Sequence, residues 1–140
     1  MDYFFYGTLM DAQVLHAVLR HPVAKCRLRP AMLVGWRRVH RDGASYPVIV
    51  PAFGSVVDGI LARRLSVRDS ACLREYEGPE YDTARLPVRT PSGRTVLAAV
   101  FVPRPSCPVS ATPWNYATWQ RCSARGFIQR VRRTRRAPTN

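Results

Sequence analysis

Six β-prone runs, separated by turn residues and a few helical stretches, constrain the fold of this 140-residue chain more than any other sequence feature. The runs cover residues 3–6, 31–40, 48–50, 55–63, 81–90 and 94–102. The helical stretches between them are too few for the regular β-α alternation of a doubly wound parallel sheet. The sequence therefore predicts an α+β fold, with about three helices flanking a mixed, barrel-like sheet of about six strands.

The length and the hydrophobic content of 46% suit one domain with its own core. No repeat or composition shift divides the chain, so we expect one domain over residues 1–131 and an Arg-rich, flexible C-terminal tail over residues 132–140. No apolar stretch reaches the roughly 18 residues needed to cross a bilayer, and the N-terminus lacks the features of a signal peptide. The sequence predicts a cytoplasmic protein without a membrane partner.

The formal net charge is +13, and Lys25 is the only lysine among the basic residues. Seven arginines cluster near the C-terminus, at positions 121, 125, 130, 132, 133, 135 and 136. A solvated tail is the ordinary interpretation, although clustered arginines also bind phosphate in a salt-sensitive way. We expect contact with nucleic acid to be non-specific if it occurs at all, and a nucleic-acid-associated protein is the lesser alternative.

The helices are placed by their predicted N-caps, which are Asp11, Ser66 and Thr112, and the first helix is predicted to have an apolar stripe over residues 14–19. In the second helix, Ser66 and the acid three residues later form a capping-box pattern. Gly78-Pro79 ends that helix, so Glu77 is predicted to lie at its C-terminus. The third helix is predicted to carry two tryptophans as core anchors and to continue toward residue 131.

The segment Tyr6-Gly7-Thr8-Leu9 follows the first predicted strand and has two interpretations. It is either an ordinary glycine turn or a nest whose backbone N–H groups hold a carboxylate or a developing oxyanion. In the second case the Thr8 hydroxyl adds a further polar group.

Glu77 also has two interpretations, because many glutamates at helix ends are simply solvated. The alternative is a general acid/base, since the helix C-terminus and burial beside Tyr76 and Tyr81 would both raise the pKa of its carboxyl. The three histidines and four cysteines have no spacing typical of a Ser-His-Asp triad or a zinc site, and we expect the cysteines to be reduced.

Taken together, these segments resemble the γ-glutamylcyclotransferase-like proteins over nearly the whole chain. The residues that carry the likeness are Phe4-Phe5-Tyr6-Gly7-Thr8-Leu9-Met10, Pro30-Ala31 through Gly35-Trp36-Arg37-Arg38, Ser45-Tyr46-Pro47, Val57-Asp58-Gly59-Ile60-Leu61, Tyr76-Glu77-Gly78 with Tyr81, and Trp114 to Trp119. The first resembles the family's N-terminal YGTL-type signature, and Tyr76-Glu77-Gly78 with Tyr81 resembles the EGxxY segment that contains its catalytic glutamate.

The resemblance implies that Tyr6, Gly7, Thr8 and Leu9 bind substrate and that Glu77 is the catalytic acid/base. The implied reaction is attack of the α-amine of a γ-glutamyl amide on its own γ-carbonyl, which gives 5-oxoproline and a free amine. It requires no metal or organic cofactor. The resemblance does not identify the leaving amine, and a monomer would suffice for this reaction. The alternative function is that of a non-catalytic protein that binds a γ-glutamyl or amino-acid ligand.

Overall fold

The computed structural model describes the backbone of residues 1–136 and the side chains of residues 1–134. The strands in this part of the chain are β1 (Tyr3–Phe5), β2 (Leu28–Arg41), β3 (Pro47–Ala62), β4 (Tyr81–Arg89), β5 (Thr95–Pro103) and β6 (Val109–Pro113). The helices are α1 (Ala12–Leu19), α2 (Val67–Glu77), α3 (Tyr116–Cys122) and α4 (Ala124–Arg136). Among these residues, no helix is long and apolar enough to cross a membrane.

Five strands close into a barrel in the order β3-β1-β5-β4-β2, and β2 pairs back onto β3. The β1–β5 pair is parallel and the other pairs around the barrel are antiparallel. The sixth strand, β6, pairs with the end of β2. The α+β class and the mixed, barrel-like sheet that the sequence predicted are therefore confirmed.

Two apolar clusters lie on the two sides of the barrel wall. The inner cluster consists of strand residues, including Phe4, Leu33 and Val100, together with Tyr6 just after β1. The outer cluster joins the other face of β1 to the helices, where the predicted apolar stripe of α1 is buried. Because side chains alternate along a strand, the three residues of β1 supply both clusters.

Strand β3 corrects the prediction of two separate strands at 48–50 and 55–63. Pro47 and Pro51 flank the first of these two runs, but both lie within β3 and pair with β2. The register of β2 and β3 shifts between Val34 and Trp36, which accommodates the extra residues that follow Pro51. Proline lacks a backbone donor and is tolerated beside such a bulge, so the strand bends there without ending.

The C-terminal region also differs from the prediction. Thr112 belongs to β6, and the helix begins later, where the Asn115 side chain accepts a hydrogen bond from the Thr118 N–H. Where the sequence predicted a single helix, the structure has two helices, α3 and α4, which are separated by Ser123. Consequently there are four α-helices in the described residues, where the sequence indicated about three.

The predicted boundary at residue 131 falls inside α4, since that helix continues to Arg136. Residues 137–140 of the predicted tail lie outside the described residues. The flexibility assigned to the tail stays a prediction.

Gly59 permits a close backbone approach in the barrel. A Cβ at this position would lie 2.3 Å from the carbonyl oxygen of Phe5 and 2.6 Å from the ring of Phe4. The backbones of β1 and β3 are therefore in close contact at this position. A larger residue would push β1 away from β3.

We expect Gly59→Ala to lower the free energy of unfolding by about 3 kcal/mol or more, because neither the backbone of β1 nor the buried ring can move aside cheaply. The matched control is Gly126→Ala in α4, where the new Cβ would lie 3.5 Å from the Arg130 guanidinium, an ordinary contact. The control should gain about 0.5–1 kcal/mol, as alanine favours a helix over glycine. Urea unfolding of both variants tests this, and an equal effect of the two would contradict it.

Candidate active site

A pocket of about 170 Å³ lies where the end of β1 meets the end of α2 and one side of α4. Its walls combine mostly aromatic and apolar side chains with one carboxylate. The lining residues are Phe4, Phe5, Tyr6, Gly7, Thr8, Leu9, Tyr46, Pro47, Tyr76, Glu77, Tyr81, Phe101 and Phe127. All five residues that the sequence predicted for the site, Tyr6, Gly7, Thr8, Leu9 and Glu77, are brought together here.

The loop after β1 is a 3-10 turn over Thr8–Met10 that begins at Gly7. The first hydrogen bond within the turn is donated by the Met10 N–H to the Gly7 carbonyl. The N–H groups of Thr8 and Leu9 therefore have no acceptor within the turn. A Cβ on Gly7 would lie 2.8 Å from Cγ of Pro47, and the rigid proline ring could not yield easily. Glycine therefore lets the loop pack tightly against the start of β3.

The side chain of Tyr6 belongs to the barrel interior. It is buried, and its hydroxyl donates a hydrogen bond of 2.6 Å to the Phe101 carbonyl. Burial raises the pKa of Tyr6 well above the ordinary value, and the neighbouring ionisable groups of Tyr81, Glu77 and Cys107 act in the same direction. Tyr6 therefore holds the loop in place through its ring and hydroxyl, while its backbone borders the pocket.

Arg38 fixes the same loop from β2, a contact that the sequence did not predict. Its guanidinium donates to the Tyr6 carbonyl at 2.8 Å, to the Asp58 carbonyl at 3.0 Å and to the Asp58 carboxylate at 2.9 Å. It also lies over the Trp114 ring, 5.4 Å from the centroid. Because a planar guanidinium offers several donors in fixed directions, Arg38 links the end of β1 to β3 and to the C-terminal region.

Glu77 is the last residue of α2, as the sequence predicted, and Gly78 caps the helix by donating its N–H to the Arg74 carbonyl. The Glu77 side chain is partly buried, and none of the described hydrogen bonds or ion pairs involves its carboxylate. Burial raises the pKa of Glu77 from 4.5 to about 8. The carboxyl group is therefore a proton-transfer group poised close to neutral pH.

The hydroxyl groups around Glu77 are engaged elsewhere. Tyr81 donates to the Pro47 carbonyl at 3.1 Å, and the Tyr76 hydroxyl lies 2.8 Å from Oγ1 of Thr8. Burial raises the pKa of Tyr76 and Tyr81, and the charge of Glu77 acts in the same direction. These phenols stay protonated near neutral pH, so Glu77 is the lining residue suited to exchange a proton there.

Several lining residues were not assigned to a site by the sequence. Tyr46 lies in the bend before β3, Phe101 on β5 and Phe127 on α4. Phe127 also makes edge contacts with Tyr76 and Trp119, at centroid distances of 6.5 Å and 5.5 Å. No short sequence pattern marks Phe127, because its place in the pocket depends on how α4 packs against α1 and α3.

Comparison with known proteins agrees with this architecture. The sequence model of the family described as "Gamma-glutamyl cyclotransferase, AIG2-like" matches residues 3–121. AIG2-like protein C of Arabidopsis thaliana is 24% identical over 129 residues, which cover 91% of this chain and 73% of that protein.

Solved structures share the fold at low identity. A solution structure of an Arabidopsis thaliana protein matches with a TM-score of 0.67 and 21% identity, covering 99% of this chain and 94% of that one. A structure named gamma-glutamyl cyclotransferase matches with a TM-score of 0.64 and 16% identity, covering 99% and 88% of the two chains. These structural matches establish the fold.

Because the pKa of Glu77 is raised, we expect the free energy of unfolding to depend on pH. The folded chain holds the Glu77 proton more tightly than the unfolded chain does, so this group stabilises the fold below about pH 4.5 and loses that contribution as the pH rises through about 8. In Glu77→Gln, a neutral side chain of similar shape removes this titration. As the pH is raised from about 5 to about 9, the unfolding free energy of the variant should increase by a few kcal/mol relative to that of the wild type.

Urea unfolding of both proteins across that range measures the difference, in which the titration of all other groups largely cancels. Glu75→Gln is the matched control, since it removes the same charge from an exposed position on the same helix. A wild-type minus Glu77→Gln difference that does not change with pH would contradict the raised pKa.

Proposed function

Because the chain belongs to the family described as gamma-glutamyl cyclotransferase, AIG2-like, we propose that it cleaves a γ-glutamyl amide to 5-oxoproline and a free amine. The observation that carries this proposal is the Glu77 carboxyl in the pocket, with a pKa of about 8 and no described hydrogen-bond partner, beside the Gly7-Thr8-Leu9 loop. The reaction needs one group that moves protons and a few donors that stabilise an oxyanion. The pocket has both kinds of group.

The substrate contains its own nucleophile, so proximity within the bound molecule contributes much of the rate. Glu77 takes a proton from the α-ammonium group, and the freed amine attacks the γ-carbonyl carbon. A bond forms between the α-nitrogen and this carbon, and the carbonyl oxygen becomes an oxyanion. When the C–N bond of the amide breaks, Glu77 gives its proton to the leaving amine. The Glu77 carboxylate then takes the second proton from the ring nitrogen, so that the glutamyl group departs as 5-oxoproline with a neutral amide, and this proton passes to the released amine.

The raised pKa of Glu77 suits both proton transfers. An ordinary glutamate is a weak base toward an ammonium group, whereas a buried carboxylate with a pKa of about 8 is better matched to it. Binding of the cationic ammonium in the pocket would favour the charged form of Glu77 in the complex. The protonated form then serves as the acid for the leaving amine.

The loop after β1 supplies the donors in this proposal. The N–H groups of Thr8 and Leu9 have no acceptor within the 3-10 turn, and both residues line the same pocket as Glu77. They would hold the oxyanion or the substrate's α-carboxylate. The contact between Thr8 and Tyr76 ties this loop to the residue next to Glu77, so donors and base keep a constant separation.

The leaving amine would depart through the partly exposed side of the pocket. Of the lining residues, Tyr46, Tyr76, Glu77 and Phe127 are the partly exposed ones, and the others are buried. We also place the reaction in the cytoplasm. The four cysteines are free thiols, which suits a reducing compartment.

Glu77→Gln should reduce 5-oxoproline release by about 10²–10⁴-fold, because the amide cannot accept and return the proton. Thr8→Ala should cost less than about tenfold, since the loop keeps its N–H groups. Release is measured by mass spectrometry from a panel of γ-glutamyl amino acids, γ-glutamyl amines and glutathione. Glu75→Gln is again the control and should keep wild-type activity.

The outcomes of this experiment separate the alternatives. Full activity in a folded Glu77→Gln variant would remove Glu77 from the mechanism. Tight binding of a γ-glutamyl compound without turnover by the wild-type protein would favour a non-catalytic binder.

Arg38 should act as a positioning residue for the loop. In Arg38→Met the apolar stem remains but all three hydrogen bonds to Tyr6 and Asp58 are lost, so we expect kcat/KM to fall about 10–100-fold. Arg38→Lys should recover part of the loss, as an ammonium group reaches fewer of these acceptors. The pH dependence of the remaining activity should be unchanged, because Glu77 is untouched.

The control for this pair is Arg37→Met, which alters an exposed side chain one residue away. If Arg38→Met kept wild-type kinetics, or lost activity only in proportion to its unfolded fraction, Arg38 would have no part in positioning the loop.

A further inference from the structure

The charges of this protein are divided unequally along the chain. All nine acidic residues lie at or before Asp82, whereas eleven of the twenty-two basic residues follow it. Residues 83–140 therefore contain eleven arginines and no carboxylate side chain. The concentration of uncompensated positive charge is greatest in α3 and α4.

Helix α4 places four arginines on one side. Arg125, Arg130, Arg132 and Arg133 are all exposed, and at 100° per residue they span about 160° of the helix surface. The opposite side buries Ala124, Ile128 and Val131 against the outer cluster. We call the four arginines the α4 basic face.

The α4 basic face is not neutralised within the described residues. The ion pairs that the structure describes use Asp2, Asp58, Asp69, Glu80 and Asp82, and none of them involves an α4 arginine. The contacts of these side chains are with neutral groups: Arg130 lies over the Phe127 ring at 5.7 Å, and Arg132 lies 3.5 Å from the Gln13 amide oxygen. The four guanidinium groups are therefore available to bind an anion from solution.

The dimensions of the face suit an extended polyanion. Residues 125 and 133 are about 12 Å apart along the helix axis, close to the screening length of about 10 Å at moderate salt, so the four charges act on a ligand together. Guanidinium groups bind phosphate oxygens through paired donors. We propose that the α4 basic face binds the phosphate backbone of nucleic acid without sequence specificity.

A membrane surface is a poorer match for this face. Helices that bind membranes present an apolar side to the lipid, together with their basic residues. The apolar residues of α4 face the protein core, and none of the large apolar side chains that are exposed in the described chain lies on α3 or α4. Phosphate-backbone binding requires only the cations.

The test measures fluorescence anisotropy of a labelled random-sequence single-stranded oligonucleotide, and of a duplex, with the full-length protein over a range of salt concentrations. The α4 variant carries Arg125→Gln, Arg130→Gln, Arg132→Gln and Arg133→Gln. The matched control carries Arg29→Gln, Arg37→Gln, Arg85→Gln and Arg89→Gln, which removes the same charge from exposed positions of β2 and β4. Circular dichroism verifies that both variants are folded.

Wild-type affinity should fall with added salt, with a logarithmic slope of about −3 for single strands if four phosphates are contacted. The α4 variant should lose at least about tenfold in affinity and most of this slope, while the control should stay within about threefold of wild type. Glu77→Gln should bind as wild type does, because the face is separate from the pocket carboxylate.

Three results would overturn the proposal. The first is no binding of either oligonucleotide by the wild-type protein at low salt. The second is an equal loss of affinity in the α4 variant and the control, which would assign binding to overall charge. The third is binding to vesicles that contain phosphatidylserine without binding to nucleic acid, which would assign the face to a membrane.

Discussion

The closure of the barrel by β1 is the constraint on which the remaining structure depends. This three-residue strand pairs with β3 on one side and with β5 on the other, and it is the point at which the sheet contains a parallel pair. Gly59 gives the strand room, and the N-terminal ammonium group donates to the Leu65 carbonyl at 2.7 Å. Because Phe4 faces the interior while Tyr3 and Phe5 face the helices, β1 also joins the two apolar clusters.

The pocket follows from this closure. The loop that begins at Gly7 emerges where β1 ends, and its position is set by Arg38 on one side and by the tight contact with Pro47 on the other. Glu77 approaches the same point from α2. The Ser66–Asp69 capping box fixes the other end of this helix, and the Asp69 carboxylate also lies 2.7 Å from Nε2 of His21. A helix fixed at its start can keep a desolvated carboxyl at its end.

The arrangement of charge has two separate consequences. In the first part of the chain, acids pair with arginines across elements: Asp2 with Arg63, Asp58 with Arg38. The second pair joins β2 to β3, and the first lies just beyond the ends of β1 and β3, although exposed pairs of this kind contribute little each. The later part of the chain has no acid of its own to pair with its arginines, so α4 carries positive charge outward while its apolar side completes the outer cluster.

The sequence by itself determined the class of the fold, the apolar stripe of α1, the capping box of α2 and the place of Glu77 at the end of that helix. Each of these depends on residues within a few positions of one another, and local propensities are strong there. The loop at Gly7 was found in the same way, as a glycine turn after a buried strand.

Only the tertiary structure decided the rest, because it depends on groups far apart in the chain. The bulge opposite Gly35 joins two predicted strands into β3, and pairing with β2 makes Thr112 a strand residue although its local pattern is typical of a helix cap. Phe127 reaches the pocket, and Arg38 reaches the Tyr6 carbonyl, through packing that no local pattern encodes. The pKa of Glu77 belongs to the same class, since desolvation is a property of the whole surrounding pocket.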